Sequence, residues 1–182
     1  MGFLAALLEK TGTSEDLALV QKRKGGARQR EAEMRRLEEE AMEKGHIWTE
    51  PIVSEAPDQP TWAPILVIVP PSVLEHWERD FATWGHFGVS SYQGEERHRA
   101  LHEIKYGGAE IMLVAKSMLM RDNNFLPLLE VKWKLIIIDE FHNFKNVKGI
   151  LSKNLRKLRD EHNAIVVGLT GTLIQNDHEE FW

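Results

Sequence analysis

Two adjacent carboxylates follow a short apolar run in the second half of the chain. Leu135–Ile138 is apolar enough for a central strand, and Asp139, Glu140 and His142 come directly after it. Ligands of open α/β sheets bind outside the carboxyl ends of the strands. A carboxylate at that place can hold the Mg²⁺ of a nucleoside triphosphate, and its neighbour can orient or activate water. The Asp-Glu pair alone is equally compatible with a strand that ends in a charged turn.

A second candidate loop lies one strand–helix unit later, at residues 168–176. Thr170 and Thr172 supply small hydroxyl groups, and Gly171 can adopt a positive φ without steric cost. Such a loop can connect a phosphate site to a second binding site through side-chain and backbone donors. Taken alone, it is also a common turn between a strand and a helix.

Two further groups of residues carry weaker signals. His98 and His102 have the spacing of a metal-binding pair on a helix, but no third ligand is evident, so a solvated helix face is favoured. The basic residues of 22–24, with Arg28 and Arg30, are compatible with a nuclear localisation or phosphate-binding patch and equally with a solvated loop.

Composition excludes several classes of function. The 182 residues are 42% hydrophobic and 28% charged, which is ordinary for a globular domain. The chain has no cysteine, so a disulfide, a thiolate zinc site and a catalytic thiol are excluded. The net charge of −5 means that any affinity for nucleic acid must come from a local patch. The apolar runs are too short to cross a bilayer, and no membrane partner is expected.

The elements that must position the candidate residues follow from the pattern of apolar runs after Pro64. Five such runs, rich in β-branched residues, predict strands at 65–69, 89–92, 110–115, 134–138 and 164–169. Amphipathic patterns at 72–84 and 148–160 predict helices, the first with Ser72 and Glu75 in capping-box spacing. Strands alternating with helices predict an α/β fold, a mostly parallel sheet with helices on both faces.

The first third of the chain has a different character. Residues 3–8 are typical of the end of a buried helix. Residues 12–63 combine charged residues with several prolines and lack a clear apolar stripe. We expect them to form an insertion outside the core that is a solvated helix in part and disordered in part, and therefore sensitive to protease.

The order of these stretches resembles the first RecA-like lobe of Swi/Snf-type ATPases of helicase superfamily two. Residues 64–77 are similar to motif Ia, 110–122 to motif Ib, 139–146 to motif II and 170–176 to motif III, with 179–182 in the helix that follows. The resemblance covers 64–182, where it implies a helicase ATP-binding lobe, and extends to a remnant of the helix after the phosphate loop at 1–11. The excision-repair branch is the most similar.

The resemblance implies a role for each matching residue. Asp139 would hold the Mg²⁺ of Mg-ATP, Glu140 would position the attacking water, and His142 would communicate with motif III. The residues that would couple hydrolysis to DNA movement are Thr170, Gly171, Thr172 and Gln175. The residues that would contact the DNA backbone are Pro70, Pro71 and Ser72 in motif Ia and Lys116 and Ser117 in motif Ib. The implied partners are double-stranded DNA, nucleosomes or repair proteins, and a second RecA-like lobe, all in the nucleus.

The chain also departs from the family pattern. No G-x-x-x-x-G-K-[ST] phosphate loop occurs, and the resemblance would place it directly before Phe3. Phe141 stands where a small residue is usual, Leu173 where proline is usual, and Ala-Lys-Ser at 115–117 replaces the usual Thr-Thr-Tyr. We therefore expect a RecA-like sheet that is incomplete at its amino end. The implied function is a piece of an ATP-dependent DNA translocase, inactive alone; the alternative is a non-catalytic module that binds DNA or protein.

Overall fold

The five apolar runs form five strands in the structure, a computed structural model that describes residues 2–47, 64–144, 146 and 148–171. The strands are β1 (Ile65–Val69), β2 (Val89–Tyr92), β3 (Ile111–Ala115), β4 (Leu135–Ile138) and β5 (Ile165–Gly168). Each strand lies within its predicted run and differs from it by at most one residue at either end. The five strand predictions are confirmed.

All four strand pairings are parallel, and the order across the sheet is β2-β3-β1-β4-β5. Every residue of β1, β3 and β4 is buried. A parallel sheet covered on both faces requires strands that are apolar at every position, which is why these runs show no alternation of polar residues. The predicted α/β architecture is therefore confirmed.

Helices cover both faces of the sheet. One face carries α1 (Gly2–Leu7) and α3 (Leu74–Trp84), whose buried leucine and phenylalanine side chains meet alternate residues of the central strands. The other face carries α4 (Arg97–Lys105), α5 (Asp122–Phe125) and α6 (Ile150–His162). Because successive strand residues point to opposite faces, the two groups of helices bury two separate core clusters.

The predicted capping box at the start of α3 does not form. A 3-10 turn at Pro71–Val73 precedes the helix, and the helix is capped at Val73 without a side-chain hydrogen bond. Pro71 occupies the first turn, where its fixed φ favours helical backbone without an N–H to cap. Ser72 therefore lies within the turn instead of capping the helix.

The charged amino-terminal segment forms a long helix, α2 (Ser14–Glu43), over residues for which we expected an insertion outside the core. The Thr13 side chain caps it by accepting from the Glu15 N–H. Asp16, Val20, Arg23 and Ala27 are buried, at a spacing that places them on one face. For residues 14–43 the expected insertion outside the core is thus corrected to a helix with one buried face. Residues 48–63 lie outside the described residues.

A buried ion-pair cluster ties this helix to the sheet. Glu110, which precedes β3, has one carboxylate oxygen 2.8 Å from Lys10 Nζ and in contact with Arg23 Nη1. Its other oxygen accepts from the Gly88 N–H at 2.9 Å. All three ionic side chains are at most 4% exposed. A contact that holds α2 against the sheet is therefore an ion pair between Arg23 and Glu110. A search of the sequence for an apolar stripe does not find a contact of this kind.

Candidate functional site

The loops that follow β1, β3, β4 and β5 all leave the same edge of the sheet, since the strands are parallel. Ile68 pairs with Ile138, and the Asp139 N–H donates to the Ile68 carbonyl at 2.8 Å. Ile138 pairs in turn with Gly168, and the Leu169 N–H donates to the Ile138 carbonyl at 2.7 Å. The register therefore brings the loop after β5 beside the carboxylate pair.

Both oxygens of the half-buried Asp139 carboxylate accept a hydrogen bond. Oδ1 accepts from the backbone N–H of Glu140 at 2.9 Å. Oδ2 accepts from Trp77 Nε1 at 3.0 Å. In the sequence, Trp77 lies only within the amphipathic pattern at 72–84 and the motif Ia stretch, and no local pattern indicates that its N–H reaches a residue 62 positions away.

Glu140 lies in a sharp turn at the end of β4. Its φ of 51° is in the left-handed region, which non-glycine residues adopt rarely; Glu9 and Asn163 have the same φ. The Asn143 backbone N–H and side-chain Nδ2 both donate to the Glu140 carbonyl, at 3.0 and 2.9 Å. These bonds hold the turn closed and leave the Glu140 side chain 44% exposed, so its carboxylate is accessible to a bound water or ligand.

His142 connects this turn to the loop after β5. Its Nδ1 lies 3.1 Å from Glu140 Oε2 and 3.3 Å from Thr170 Oγ1. The Phe141 N–H donates to the Leu169 carbonyl at 2.9 Å, which adds a backbone link between the same two loops. The structure thus brings together Asp139, Glu140, His142 and Thr170, residues that the sequence placed at two separate strand ends.

The candidate DNA-contacting residues lie at the same edge of the sheet. Pro70, Pro71 and Ser72 follow β1, and Lys116 and Ser117 open the 3-10 turn after β3. Val69 and Ala115 are paired, so the two turns are neighbours. Pro71, Ser72 and Ser117 are exposed.

The remaining candidates for the coupling loop are only partly covered. Gly171 is the last described residue of that loop, and nothing lies within 4 Å of the position where its Cβ would be. Thr172 and Gln175 lie outside the described residues.

The donor set at this edge fits Mg²⁺ better than a transition metal. The described residues contain no cluster of three or more His, Cys, Asp or Glu side chains that could hold a metal by themselves. Mg²⁺ is typically bound by one or two carboxylates, with water and substrate phosphates as its other ligands. Among the described residues, each Asp139 oxygen accepts one hydrogen bond, which leaves lone pairs for a cation.

The histidine pair on α4 does not form a metal site in the described part of the chain. His102 Nδ1 instead lies 3.0 Å from Glu31 Oε1 on α2, and this contact links the two helices. Within the same residues, no helix is long and apolar enough to cross a membrane.

Comparison with known proteins identifies relatives of the whole chain. The model of the family described as "SNF2-related domain" matches residues 5–182. The mouse protein "DNA excision repair protein ERCC-6-like 2" is 30% identical over 182 residues, which is 100% of this chain and 10% of that protein. The yeast "Nuclear protein STH1/NPS1" is 32% identical over 122 residues, 65% of this chain and 9% of that protein.

A solved structure matches as well. The "Sulfolobus solfataricus SWI2/SNF2 ATPase core in complex with dsDNA" has a TM-score of 0.51 and 32% sequence identity. The match covers 66% of this chain and 24% of that one. The chain therefore spans about a tenth of the curated relatives' length and about a quarter of the solved ATPase core.

Proposed function

Because the chain belongs to the SNF2-related domain family of ATPases, we propose that it is part of an ATP-dependent DNA translocase that acts in chromatin remodelling or DNA repair in the nucleus. Its parallel sheet with helices on both faces is the RecA-like fold of that family's ATPase core. The observation that carries the proposal is the contact of His142 with both Glu140 and Thr170 beside Asp139.

Two residues at this edge have different proposed roles in ATP hydrolysis, one in binding the metal and one in orienting the attacking water. A bound Mg²⁺ would neutralise negative charge on the phosphates of the nucleotide. Asp139 would bind it through the lone pairs that its two hydrogen bonds leave free. Glu140, which is more exposed, would orient the attacking water.

His142 would couple hydrolysis to motion. It contacts Glu140 on one side and Thr170 on the other, so a shift of the loop after β5 changes the position of the water-orienting carboxylate. We propose Thr170, Gly171, Thr172 and Gln175 as the coupling residues of that loop, with a second RecA-like lobe as its partner.

DNA would bind along the neighbouring turns. Pro70, Pro71, Ser72, Lys116 and Ser117 are proposed to contact phosphates of double-stranded DNA, which carry no sequence information. The net charge of −5 favours weak binding. Because the contacts are to phosphates, the affinity should be independent of the DNA sequence and should fall steeply as the salt concentration rises. Gel-shift titrations at two salt concentrations test this; nanomolar, salt-insensitive and sequence-selective binding would contradict it.

We propose further that turnover requires parts that these 182 residues do not contain. The sequence has no G-x-x-x-x-G-K-[ST] loop, whose amides and lysine neutralise the triphosphate. One carboxylate-held Mg²⁺ cannot fix the phosphates in their place, so the chain alone should release no phosphate, with or without DNA.

The decisive experiment is phosphate release by a fusion protein that supplies a phosphate loop before Phe3 and a second lobe after Trp182. The fusion should be a DNA-stimulated ATPase. Glu140→Gln should abolish turnover and leave nucleotide binding largely intact, whereas Glu161→Gln, at an exposed site on α6, should change neither. Turnover by the 182 residues alone, or an active Glu140→Gln fusion, would show that the assignment is wrong. An inactive fusion that binds DNA would favour the non-catalytic module.

A further inference from the structure

Trp77 makes a polar contact that its place in an apolar helix pattern does not require. Its indole Nε1 donates to Asp139 Oδ2 at 3.0 Å. The ring itself packs against Phe81, with 5.7 Å between centroids, and Phe81 is buried against Phe87 in the core. Packing against Phe81 therefore fixes the orientation of the indole ring on α3, and with it the direction of the N–H.

The carboxylate is held from two sides as a result. Oδ1 accepts from the backbone N–H of Glu140, and Oδ2 accepts from the indole. Rotation of the carboxyl group would break both bonds. A ligating carboxylate that is fixed by outer hydrogen bonds loses less freedom when it binds a cation, and such partners commonly contribute ten- to a hundredfold to metal affinity or activity.

We infer that Trp77 is a positioning residue, whose indole N–H orients the Asp139 carboxylate for a divalent cation and ties that carboxylate to α3. The inference rests on the proposed function, in which Asp139 binds the metal. It adds a physical link between two sites, because α3 follows directly from the turn that contains Pro71 and Ser72. Binding of a cation at Asp139 and binding of phosphate at that turn would then affect each other through the indole.

The chain offers a matched pair of variants. Trp77→Phe keeps an aromatic ring that can pack against Phe81 and removes the N–H donor together with part of the indole ring. Trp84→Phe changes a tryptophan on the same helix that is 68% exposed. A role in packing alone would leave the metal response of both variants equal to that of the unaltered chain.

The first measurement detects the contact in the metal-free chain. Each of the six tryptophans has one indole N–H signal in a ¹⁵N-correlated NMR spectrum, and the signal of Trp77 is assigned from its nuclear Overhauser contacts with the neighbouring Phe81 ring. Asp139→Asn should move that resonance and leave the signal of Trp84 in place. An unmoved Trp77 resonance would overturn the inference, and this result does not depend on whether Trp77→Phe folds.

The second measurement uses Mn²⁺, which prefers the same oxygen ligands as Mg²⁺ and broadens nearby NMR signals. In Trp77→Phe, the Mn²⁺ concentration that half-broadens the Glu140 amide signal should rise about tenfold, and in Trp84→Phe it should not change. If Asp139→Asn removes the broadening but Trp77→Phe leaves it unchanged, the inference is wrong and the metal role of Asp139 stands. If Asp139→Asn leaves the broadening unchanged, the proposed metal role itself is wrong.

Discussion

The ring of Phe141 lies directly against the backbone of Gly168, where β5 ends beside the Asp139–Glu140 turn. A Cβ added at Gly168 would lie 2.5 Å from Phe141 Cγ and 2.9 Å from Phe141 Cβ. The glycine on the neighbouring strand therefore supplies the space that the Phe141 side chain needs.

Gly168→Ala should therefore displace Phe141 and lower the free energy of unfolding by about 1–3 kcal/mol. The atom that must move is near the backbone, so rotation of the ring cannot relieve the contact. Phe141→Ala introduced together with Gly168→Ala should recover part of the loss. Gly25→Ala is the matched control, because nothing lies within 4 Å of that Cβ position on α2. Urea denaturation measures these variants together with Phe141→Ala alone and the unaltered chain. If the effects of the two single substitutions simply add in the double variant, the contact is contradicted.

Removing the carboxylate of the buried ion-pair cluster should be costly. Glu110→Ala leaves Lys10 and Arg23 buried without their shared counter-charge, and we expect a loss of about 3–5 kcal/mol in the free energy of unfolding. Glu96→Ala, which removes a largely exposed partner of Arg99, should have little effect. Equal losses in the two variants would mean that the buried cluster contributes no more than a surface ion pair.

The same cluster predicts where trypsin cuts the long helix. Arg35, Arg36 and Lys44 are well exposed, whereas Arg23 is buried against Glu110. Cleavage after Arg35, Arg36 and Lys44 should therefore precede cleavage after Arg23, whereas the sequence suggested a protease-sensitive segment over 12–63 without distinguishing between sites. Glu110→Ala should accelerate cleavage after Arg23. Mass spectrometry of the early fragments reports the order; early cleavage after Arg23 in the unaltered chain would contradict the packing.

A buried tyrosine predicts how stability responds to alkaline pH. Burial, the largest cause, raises the pKa of Tyr92 above its ordinary 10.0; Arg97 lowers it and Glu130 raises it further. The folded chain then keeps the phenolic proton at pH values where the unfolded chain loses it. Stability from this group is complete below pH 10 and is lost as pH rises through the folded-state pKa.

Tyr92→Phe should remove that part of the pH dependence. It should also cost about 1 kcal/mol at neutral pH, because the hydroxyl donates to the Asn124 carbonyl at 2.9 Å. Denaturation curves between pH 8 and pH 11 compare the two chains. Parallel curves over this range would show that Tyr92 does not carry the effect.

How much the sequence could predict depends on whether the signal is local. The strands were predictable because a parallel sheet buried on both faces demands continuous apolar runs, as in Leu135–Ile138. The position of Asp139 after such a run placed it at the ligand-binding edge. Its contact with Trp77 was not predictable, because the contact depends on how α3 packs on the sheet. The burial of Arg23 was not predictable for a related reason. Arg23 is buried by its ion pair with Glu110, and a search for apolar periodicity does not register charged residues.

The position of β1 in the sheet has a consequence for the chain during its synthesis. β1 leaves the ribosome before both of the strands with which it pairs, β3 and β4, and it does not pair with β2, the next strand along the chain. One edge of this five-residue apolar strand therefore has no pairing partner until Leu135–Ile138 has been synthesised. At about 5–20 residues per second, that takes roughly 4–14 s. Pairing of such distant segments is also intrinsically slow. The strand that is best protected in the folded protein is thus the one most exposed to aggregation while the protein is being made.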